Sequence, residues 1–360
     1  AMRLLVALLV LLCPLAAQTP DLNWIAPTDG RMEINGLAWF SENGGEWFRL
    51  PVRLKDTLPK AVWNLGRSPS GARVRFRTDS NALAVRVEYD SAPDMANMHA
   101  FGQTGVDLYL DGIYRGTATA KKDSKTGVPV EHVYFDLGAQ PRVERTVTLY
   151  LPLYKAAKLL SIGVDKQAQI RRGPAYGLAR PVVFYGTSIT QGGCASRPGM
   201  SYQAILSRML NLDFVNLGFS GNGRGEPEVA RMVAEIDAAA FVLDFAQNNR
   251  TVESLSKVYE PFINTLREKH PSTQIYVITP ISSAREALAD RKGELEAMRE
   301  HIRLVASKRI AAGDKHIEIV EGTDLIGPDR LEGFVDTVHP NDLGFQWMAE
   351  GLAHRLVKLH

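Results

Sequence analysis

Short stretches in the first half of the chain alternate apolar with polar residues, the period of a half-buried β-strand. Two of them flank Asp111-Gly112, a pair that readily adopts the positive φ angles of a two-residue hairpin turn. Long helical periods are absent from this half, so we predict an antiparallel β-sandwich over residues 21–172. The predicted strands are 73–78, 82–89, 106–110, 113–117 and 143–151.

The second half has a different pattern, in which short continuous apolar runs alternate with amphipathic helical stretches. Continuous apolar strands are typical of a parallel sheet that helices cover on both faces. We therefore predict an α/β domain over residues 178–360, a three-layer α/β/α (flavodoxin-like) sandwich with a five-stranded parallel sheet. The predicted strands are 181–186, 214–218, 241–246, 274–280 and 317–320, and the predicted helices are 201–210, 228–237, 253–269, 286–312 and 343–359.

The first residues resemble a targeting segment. Arg3 precedes an unbroken apolar run over 4–12, and Ala16 and Ala17 offer small residues for cleavage. The run is short for a membrane span. We predict a signal peptide at 1–17 and a secreted or periplasmic protein that has no membrane association after cleavage; an uncleaved membrane anchor is the alternative.

Composition and charge narrow the possible functions. The chain has 360 residues and a net charge of +2, so no broad basic field is available for nucleic acid. Cys194 is the only cysteine beyond the predicted signal peptide, which excludes an internal disulfide in the mature chain. Tryptophans in the first half could stack on sugar rings, although packing in the core is the favoured interpretation. They are Trp24, Trp39, Trp47 and Trp63.

Polar residues with catalytic potential follow the predicted parallel strands. Ser188 follows the first strand, Gly221 the second and Asn248 the third, and Asp336 and His339 precede the last helix. Because the carboxyl ends of parallel strands meet at one edge of a sheet, we expect these residues to lie close together. A serine hydroxyl needs a neighbouring base to act as a nucleophile, and a histidine is the usual base.

These loops resemble the four sequence blocks of the SGNH hydrolase family, over about residues 180 to 360. The segment Gly105-Val106-Asp107-Leu108-Tyr109 also resembles the Gly-x-Asp-Leu-Tyr signature of the β-domain that precedes this hydrolase domain in some bacterial proteins. The resemblance implies Ser188 as nucleophile, His339 as its base and Asp336 as the residue that orients the base. The implied oxyanion-hole donors are the N–H groups of Ser188 and Gly221 and the side-chain amide of Asn248.

The sequence departs from the family pattern at two positions. Thr187 stands where the motif usually has Asp before the serine, and the third block reads Asn248-Asn249 where Asn-Asp is usual. We expect Gln247 and Asn249 to shape the substrate pocket. Asn249 could also be the oxyanion donor in place of Asn248.

The resemblance implies a secreted serine esterase that acts on short-chain, in particular acetyl, esters of carbohydrates through an acyl-serine intermediate. The expected partner is a small-molecule or glycan ester. We predict no cofactor, and no metal, because no group of His, Cys and Asp has metal-ligand spacing in the sequence. A lipase or thioesterase of the same fold and an inactive glycan-binding protein are the alternatives, and the oligomeric state stays open.

Simpler interpretations compete for several of these residues. Ser188 could only cap a helix or form a turn. The loop 186–193 could bind phosphate, but it lacks the lysine and the glycine spacing of known phosphate loops. Cys194 is a weak alternative nucleophile because no partner histidine is evident. We predict Asn341 and Asp342 as N-caps of the last helix.

Overall fold

The computed structural model describes residues 21–121, 123–289 and 293–360. The predicted signal peptide, residues 1–17, lies outside the described residues. The strands of the described N-terminal part are β1 Leu22–Ile25, β2 Glu33–Asn35, β3 Arg73–Thr78, β4 Ala82–Tyr89, β5 Val106–Leu110, β6 Ile113–Ala118, β7 Val130–Asp136, β8 Arg145–Tyr150, β9 Ala157–Asp165 and β10 Ile170–Arg172. Its α-helices are α1 Lys60–Leu65 and α2 Ala100–Thr104.

The N-terminal strands form two sheets that pack face to face. One sheet has the order β1-β9-β4-β7, and the other has the order β10-β3-β8-β5-β6 with β2 beside β3. Their pairings are antiparallel. Val85 of β4 and Leu108 of β5 share one buried core, so the two sheets form the predicted β-sandwich.

The predicted hairpin is present at the expected residues. Leu110 pairs with Ile113 across the turn, and Asp111 and Gly112 have φ angles of 51° and 78°. Positive φ at both central residues is the signature of a type I′ turn, whose twist matches that of the flanking strands.

The C-terminal part contains the predicted parallel sheet. Its strands are β11 Val182–Gly186, β12 Phe214–Gly218, β13 Ala240–Asp244, β14 Gln274–Ile278 and β15 Ile317–Val320. In the described part of the chain these form a five-stranded sheet of order β12-β11-β13-β14-β15. Gly186 at the end of β11 pairs with Gly218 of β12 and Asp244 of β13, so three strands end at the same level.

Helices cover both faces of this sheet. On one face Val183 packs with residues of α5 and α7, and on the other Val182 packs with residues of α4 and α10. The fold is therefore the predicted α/β/α sandwich. The helices are α3 Ser188–Gln191, α4 Tyr202–Leu210, α5 Pro227–Val233, α6 Val252–Ser256, α7 Tyr259–Lys269, α8 Glu294–Ala311, α9 Gly322–Leu325 and α10 Asp342–Leu356.

Three predicted helices differ from the observed ones, and the first of them, predicted at 228–237, is observed as Pro227–Val233. The stretch 253–269 is two helices, because Pro261 lacks an N–H group and is tolerated only in the first turn of α7. The predicted helix 286–312 begins at Glu294 as α8. Gly293 precedes it with a φ angle of 82°, a left-handed conformation that cannot continue a helix from the preceding residues.

The N-terminal part also packs directly on the parallel sheet. Trp39, Leu50 and Val62 are buried in the same cluster as Val229 of α5. Trp39 and Trp47 are each less than a tenth exposed, which favours core packing over sugar stacking for these two rings. Among the helices that the structure describes, none combines the length and the apolar character that a bilayer crossing requires.

Candidate active site

The turn that follows β11 presents Ser188 at the edge of the parallel sheet. Ser188 is the first residue of α3, a helix of four residues. Thr187 is its N-cap, with Oγ1 accepting the N–H of Ile189 at 3.1 Å, and Gly192 ends the helix with a φ angle of 102°. Thr187 therefore has a structural role of its own at the position where the family pattern usually has Asp.

Close packing against β12 fixes this turn. A side chain at Gly218 would clash with the backbone of Gln191, so the approach of α3 to β12 requires glycine there. Asn216 donates from Nδ2 to the carbonyl of Thr190 at 2.8 Å. The side-chain oxygen of Gln191 accepts the N–H of Ser220 at 2.9 Å, which joins the first two sequence blocks.

The structure brings together Ser188, which follows β11, and Asp336 and His339, which precede α10. The Ser188 Oγ atom lies 2.9 Å from His339 Nε2, and His339 Nδ1 lies 2.8 Å from an Asp336 carboxylate oxygen. Burial raises the pKa of Asp336, but hydrogen bonds from the His339 backbone, the His339 ring and other donors outweigh it and hold the pKa well below its usual range. Because Asp336 is ionised, Nδ1 carries the ring proton and Nε2 is free to accept the serine proton.

Two backbone N–H groups are available beside Ser188 for a developing negative charge. Neither the N–H of Ser188 nor that of Gly221 has an acceptor among the described residues. Gly221 has a φ angle of 67°, which turns the backbone after Phe219 and favours glycine. This pair has the chemistry of an oxyanion hole, in which fixed donors face a carbonyl oxygen.

Asn248 and Asn249 contact different parts of the second loop. Asn248 Nδ2 lies 3.1 Å from the carbonyl oxygens of Phe219 and Gly223, on either side of Gly221. Asn249 is buried, and its Nδ2 donates to the carbonyl of Arg224 at 3.3 Å. Of the two asparagines, Asn248 is therefore the one beside the free N–H group of Gly221. To donate to an oxyanion, its side-chain amide must give up one of its two hydrogen bonds to backbone carbonyls.

Gln247 lines a small cavity between the loops that carry Asn248 and His339. The cavity has a volume of about 80 Å³, and Val338 and Ser283 also line it. The side-chain oxygen of Gln247 is buried and has no hydrogen-bond partner in the part of the chain that the structure describes. An acceptor of this kind can bind a hydroxyl or amide hydrogen of a ligand.

Asn97 and Tyr154 reach the site from the N-terminal part, and the sequence patterns do not predict them. Asn97 Nδ2 donates to Asp336 at 3.0 Å, and the Tyr154 hydroxyl donates to the carbonyl of Ser188 at 3.4 Å. Both residues lie outside the four sequence blocks, in loops without a periodic pattern.

Comparisons with known proteins identify the family of this chain. Residues 179–357 match the GDSL-like lipase/acylhydrolase family, and residues 22–170 match the N-terminal domain of SGNH-hydrolase-type esterases that is named for its Gly-x-Asp-Leu-Tyr motif. The structure of a protein described as a GDSL-like lipase from Bacteroides ovatus is 32% identical, with a TM-score of 0.83 over 94% of this chain and 98% of that one. The chain belongs to the GDSL-like lipase/acylhydrolase family. The resemblance inferred from the four blocks is therefore confirmed, and membership supports an ester-hydrolysing enzyme.

More distant members of this fold differ in the substrates that their names give. Salicylyl-acyltransferase SsfX3 of a tetracycline biosynthetic pathway is 24% identical, with a TM-score of 0.78 over 94% of this chain and 97% of that one. An acetyl xylan esterase of the rumen bacterium Butyrivibrio proteoclasticus is 16% identical, with a TM-score of 0.60 over 80% and 90% of the two chains. At these identities the likeness shows the fold alone. No curated protein matches the chain.

Cys194 lies beside the candidate active site, but its buried environment does not activate the thiol as a nucleophile. Burial, reinforced by the charge of Asp336, raises the pKa of this thiol to about 12, so it is protonated near neutral pH. Ligand atoms of Cys194, Asp336 and His339 lie within 4.8 Å of one another, a proximity that the sequence spacing did not predict. These donor types suit zinc. Asp336 and His339 already bond each other, and we assign no metal to the group.

The two predicted caps of the last helix have different roles. Asn341 caps α10, because its side-chain oxygen accepts the N–H groups of Leu343 and Gly344. Asp342 is the first residue of α10, and its carboxylate accepts the N–H of Ser196 at 2.8 Å. Asp342 therefore joins α10 to the loop that follows α3 and is not a cap, which corrects the prediction.

Proposed function

We propose that the protein is a serine esterase that removes short acyl groups, in particular acetyl groups, from carbohydrate esters through an acyl-Ser188 intermediate. The observation that carries this proposal is the hydrogen-bonded series from Ser188 Oγ through His339 to Asp336 at the carboxyl edge of the parallel sheet. This is the arrangement that activates a serine hydroxyl in acyl transfer.

In the proposed reaction, Ser188 Oγ attacks the ester carbonyl carbon while His339 Nε2 takes its proton. The N–H groups of Ser188 and Gly221 and the amide of Asn248 stabilise the negative charge on the carbonyl oxygen. His339 then gives the proton to the leaving alcohol oxygen, and the C–O bond breaks. Water repeats the sequence on the acyl-serine, which releases the carboxylic acid and restores Ser188.

Two observations support a short acyl group and a sugar alcohol. The cavity beside Gln247 and Val338 has a volume of only about 80 Å³, which suits a short acyl group better than a long acyl chain. The Gln247 acceptor could bind a hydroxyl group of the substrate, with Asn249 supporting the loop behind it. Structural neighbours include carbohydrate esterases, one of which is described in complex with cellohexaose.

We further propose that residues 1–17 direct secretion and that the chain divides into domains at 21–172 and 178–360. Acetylated glycans of plant and microbial surfaces are too large to enter a cell, so a secreted enzyme fits this substrate class. No cofactor is needed for the proposed chemistry.

The test compares acetate release from 4-nitrophenyl acetate and acetylated xylan with release of longer acyl chains from 4-nitrophenyl esters. We expect turnover of the acetyl esters and a steep decline beyond four carbons. Ser188→Ala should lower kcat by at least ~10³-fold. Cys194→Ala is the matched control and should retain activity, because its thiol is protonated and buried.

Other outcomes would favour other functions. Faster hydrolysis of long-chain esters would favour a lipase, and faster hydrolysis of acyl thioesters a thioesterase. A wild-type rate equal to that of Ser188→Ala, together with binding of xylan, would favour the inactive glycan-binding protein. Loss of activity in Cys194→Ala alone would refute Ser188 as the nucleophile.

A further inference from the structure

The carboxylate of Asp336 has hydrogen-bond donors on both oxygens. Oδ1 accepts the backbone N–H groups of Val338 and His339 at 2.7 and 2.8 Å. Oδ2 accepts the ring N–H of His339 at 2.8 Å and the side-chain N–H of Asn97 at 3.0 Å. Three of these donors belong to the loop of Asp336 itself, and Asn97 belongs to the N-terminal β-sandwich.

The loop that carries Asn97 connects β4 to α2 and has a defined internal structure. Gln103 of α2 is buried beneath it, and its side-chain oxygen accepts the N–H groups of Asp94 and Met95 at 2.8 and 3.0 Å. Its side-chain nitrogen donates to the carbonyls of Met95 and Met98 at 3.1 and 2.7 Å. One buried glutamine thus fixes the backbone on both sides of Asn97.

The same loop is packed against the turn that bears the nucleophile. Met98 is buried in one cluster with Cys194 and Ala195, which follow α3. A side chain at Gly102 would clash with the carbonyl of Ala195, so the two segments are in direct backbone contact. The position of Asn97 relative to Asp336 is therefore set by packing between the β-sandwich and the hydrolase fold.

We propose that Asn97 is a positioning residue for Asp336, so that the N-terminal β-sandwich completes the hydrogen-bond network of the active site. The inference rests on the proposed function of Ser188, His339 and Asp336. Asn97 and the His339 ring share Oδ2, so rotation of the carboxylate away from the ring breaks both bonds. The amide is neutral and stabilises the negative charge without giving up a proton.

Kinetics of Asn97→Ala and Asn97→Asp test this role. Loss of the donor should lower kcat by roughly three- to tenfold, the range for one partly exposed hydrogen bond to a charged group, with KM little changed. Asn97→Asp places a second carboxylate against Asp336, so its loss should be larger and should shrink at high ionic strength, because salt screens exposed charges. Salt should not rescue Asn97→Ala.

Asp94→Ala is the matched control, since Asp94 lies in the same loop and its exposed side chain pairs with Lys155 at 2.7 Å, away from Asp336. We expect it to retain activity. A residue that acts through Asp336 should also lose its effect when Asp336 is replaced, so Asn97→Ala should change kcat little in an Asp336→Asn background. An equal loss in that background, or in Asp94→Ala, would overturn the proposal.

An NMR measurement tests the contact without turnover and so separates it from the proposed function. The Nδ1 proton of His339, bonded to Asp336, should give a low-field signal that Asp336→Asn abolishes. In Asn97→Ala this signal should shift or broaden through faster exchange with water, and Asp94→Ala should leave it in place. An unchanged signal in Asn97→Ala would exclude the positioning role even if no ester were turned over.

Discussion

Two carboxyl groups at the same edge of the parallel sheet have pKa values shifted in opposite directions. Asp336 is held ionised by the donors around it. Asp244, at the end of β13, is fully buried, and this burial raises its pKa to about 7, with only a weak opposing contact from Thr190 at 3.5 Å. Asp336 is thus suited to stabilise a positive imidazole, whereas Asp244 is a neutral packing residue over part of the pH range.

The raised pKa of Asp244 predicts a pH-dependent stability. Between about pH 4 and pH 7 the Asp244 carboxyl is protonated in the folded state, whereas in the unfolded chain, with a pKa near 3.9, it is ionised. The contribution of Asp244 to the free energy of unfolding therefore has its full value below about pH 4 and decreases by about 1.4 kcal/mol per pH unit up to about pH 7. Asp244→Asn is neutral at every pH and lacks this decrease. Between pH 5 and pH 8 the variant should gain about 2–3 kcal/mol relative to wild type in urea denaturation.

Asp237→Asn is the control for this measurement, because Asp237 precedes the same strand β13, is exposed to solvent and pairs with Arg180 at 3.0 Å. Its stability relative to wild type should be the same at both pH values. A constant difference between Asp244→Asn and wild type would show that Asp244 is ionised in the folded state throughout this range.

At the scale of elements, the four-residue helix α3 determines the position of Ser188, the proposed nucleophile. The four residues of α3 cannot form a stable helix alone, and its start depends on the Thr187 cap and on packing against β12. Thr187→Ala should lower the free energy of unfolding by about 1 kcal/mol and reduce kcat, since the cap also orients Ser188. Thr187→Ser keeps the hydroxyl and should match wild type. Equal urea midpoints for Thr187→Ala and wild type would contradict this role.

The elements that the sequence predicts well share a simple burial pattern. In strands β3 and β4 the side chains are either buried throughout or alternate between buried and partly exposed positions. Both strands are observed at the predicted residues. The sequence does not indicate β1, β2 and β10, because three or four residues are too few to show a period. The sequence also does not indicate β9, which pairs with both β1 and β4. The pairing of β9 with β4 shifts register at Arg86/Val87, so the side chains of β9 do not alternate regularly between buried and exposed positions.

At the scale of the whole molecule, the candidate site is predictable only where it follows the sheet. Ser188, Gly221, Asn248 and His339 lie at the ends of recognisable strands or before a recognisable helix, so topology alone brings them together. Asn97 is 239 residues from Asp336 along the chain, and its contact depends on how the β-sandwich packs against the parallel sheet. No local pattern contains that information.

Arg49 shows how closely the two parts are joined. Its guanidinium is fully buried, which lowers its pKa to about 9 and still leaves it charged at neutral pH. It donates to the carbonyls of Leu65 and Ser68 in the N-terminal part and to those of Asn216 and Gly218 in β12. The end of β12, which leads into the loop of Gly221, is therefore held by a residue of the N-terminal part.

Replacement of Arg49 should weaken the whole molecule because it leaves several buried carbonyls without donors. Arg49→Met keeps an apolar side chain of similar length, and we expect it to lower the free energy of unfolding by at least ~3 kcal/mol, since each unpaired buried group costs about 1–3 kcal/mol. Arg49→Lys should restore little, because one ammonium cannot match the geometry of a guanidinium. Arg53→Met, which removes a solvent-exposed arginine paired with Glu42 and Glu235, should change stability by less than about 1 kcal/mol in the same urea titration. An Arg49→Met variant as stable as Arg53→Met would mean that water replaces the lost donors and that the other contacts between the two parts of the chain are sufficient to hold them together.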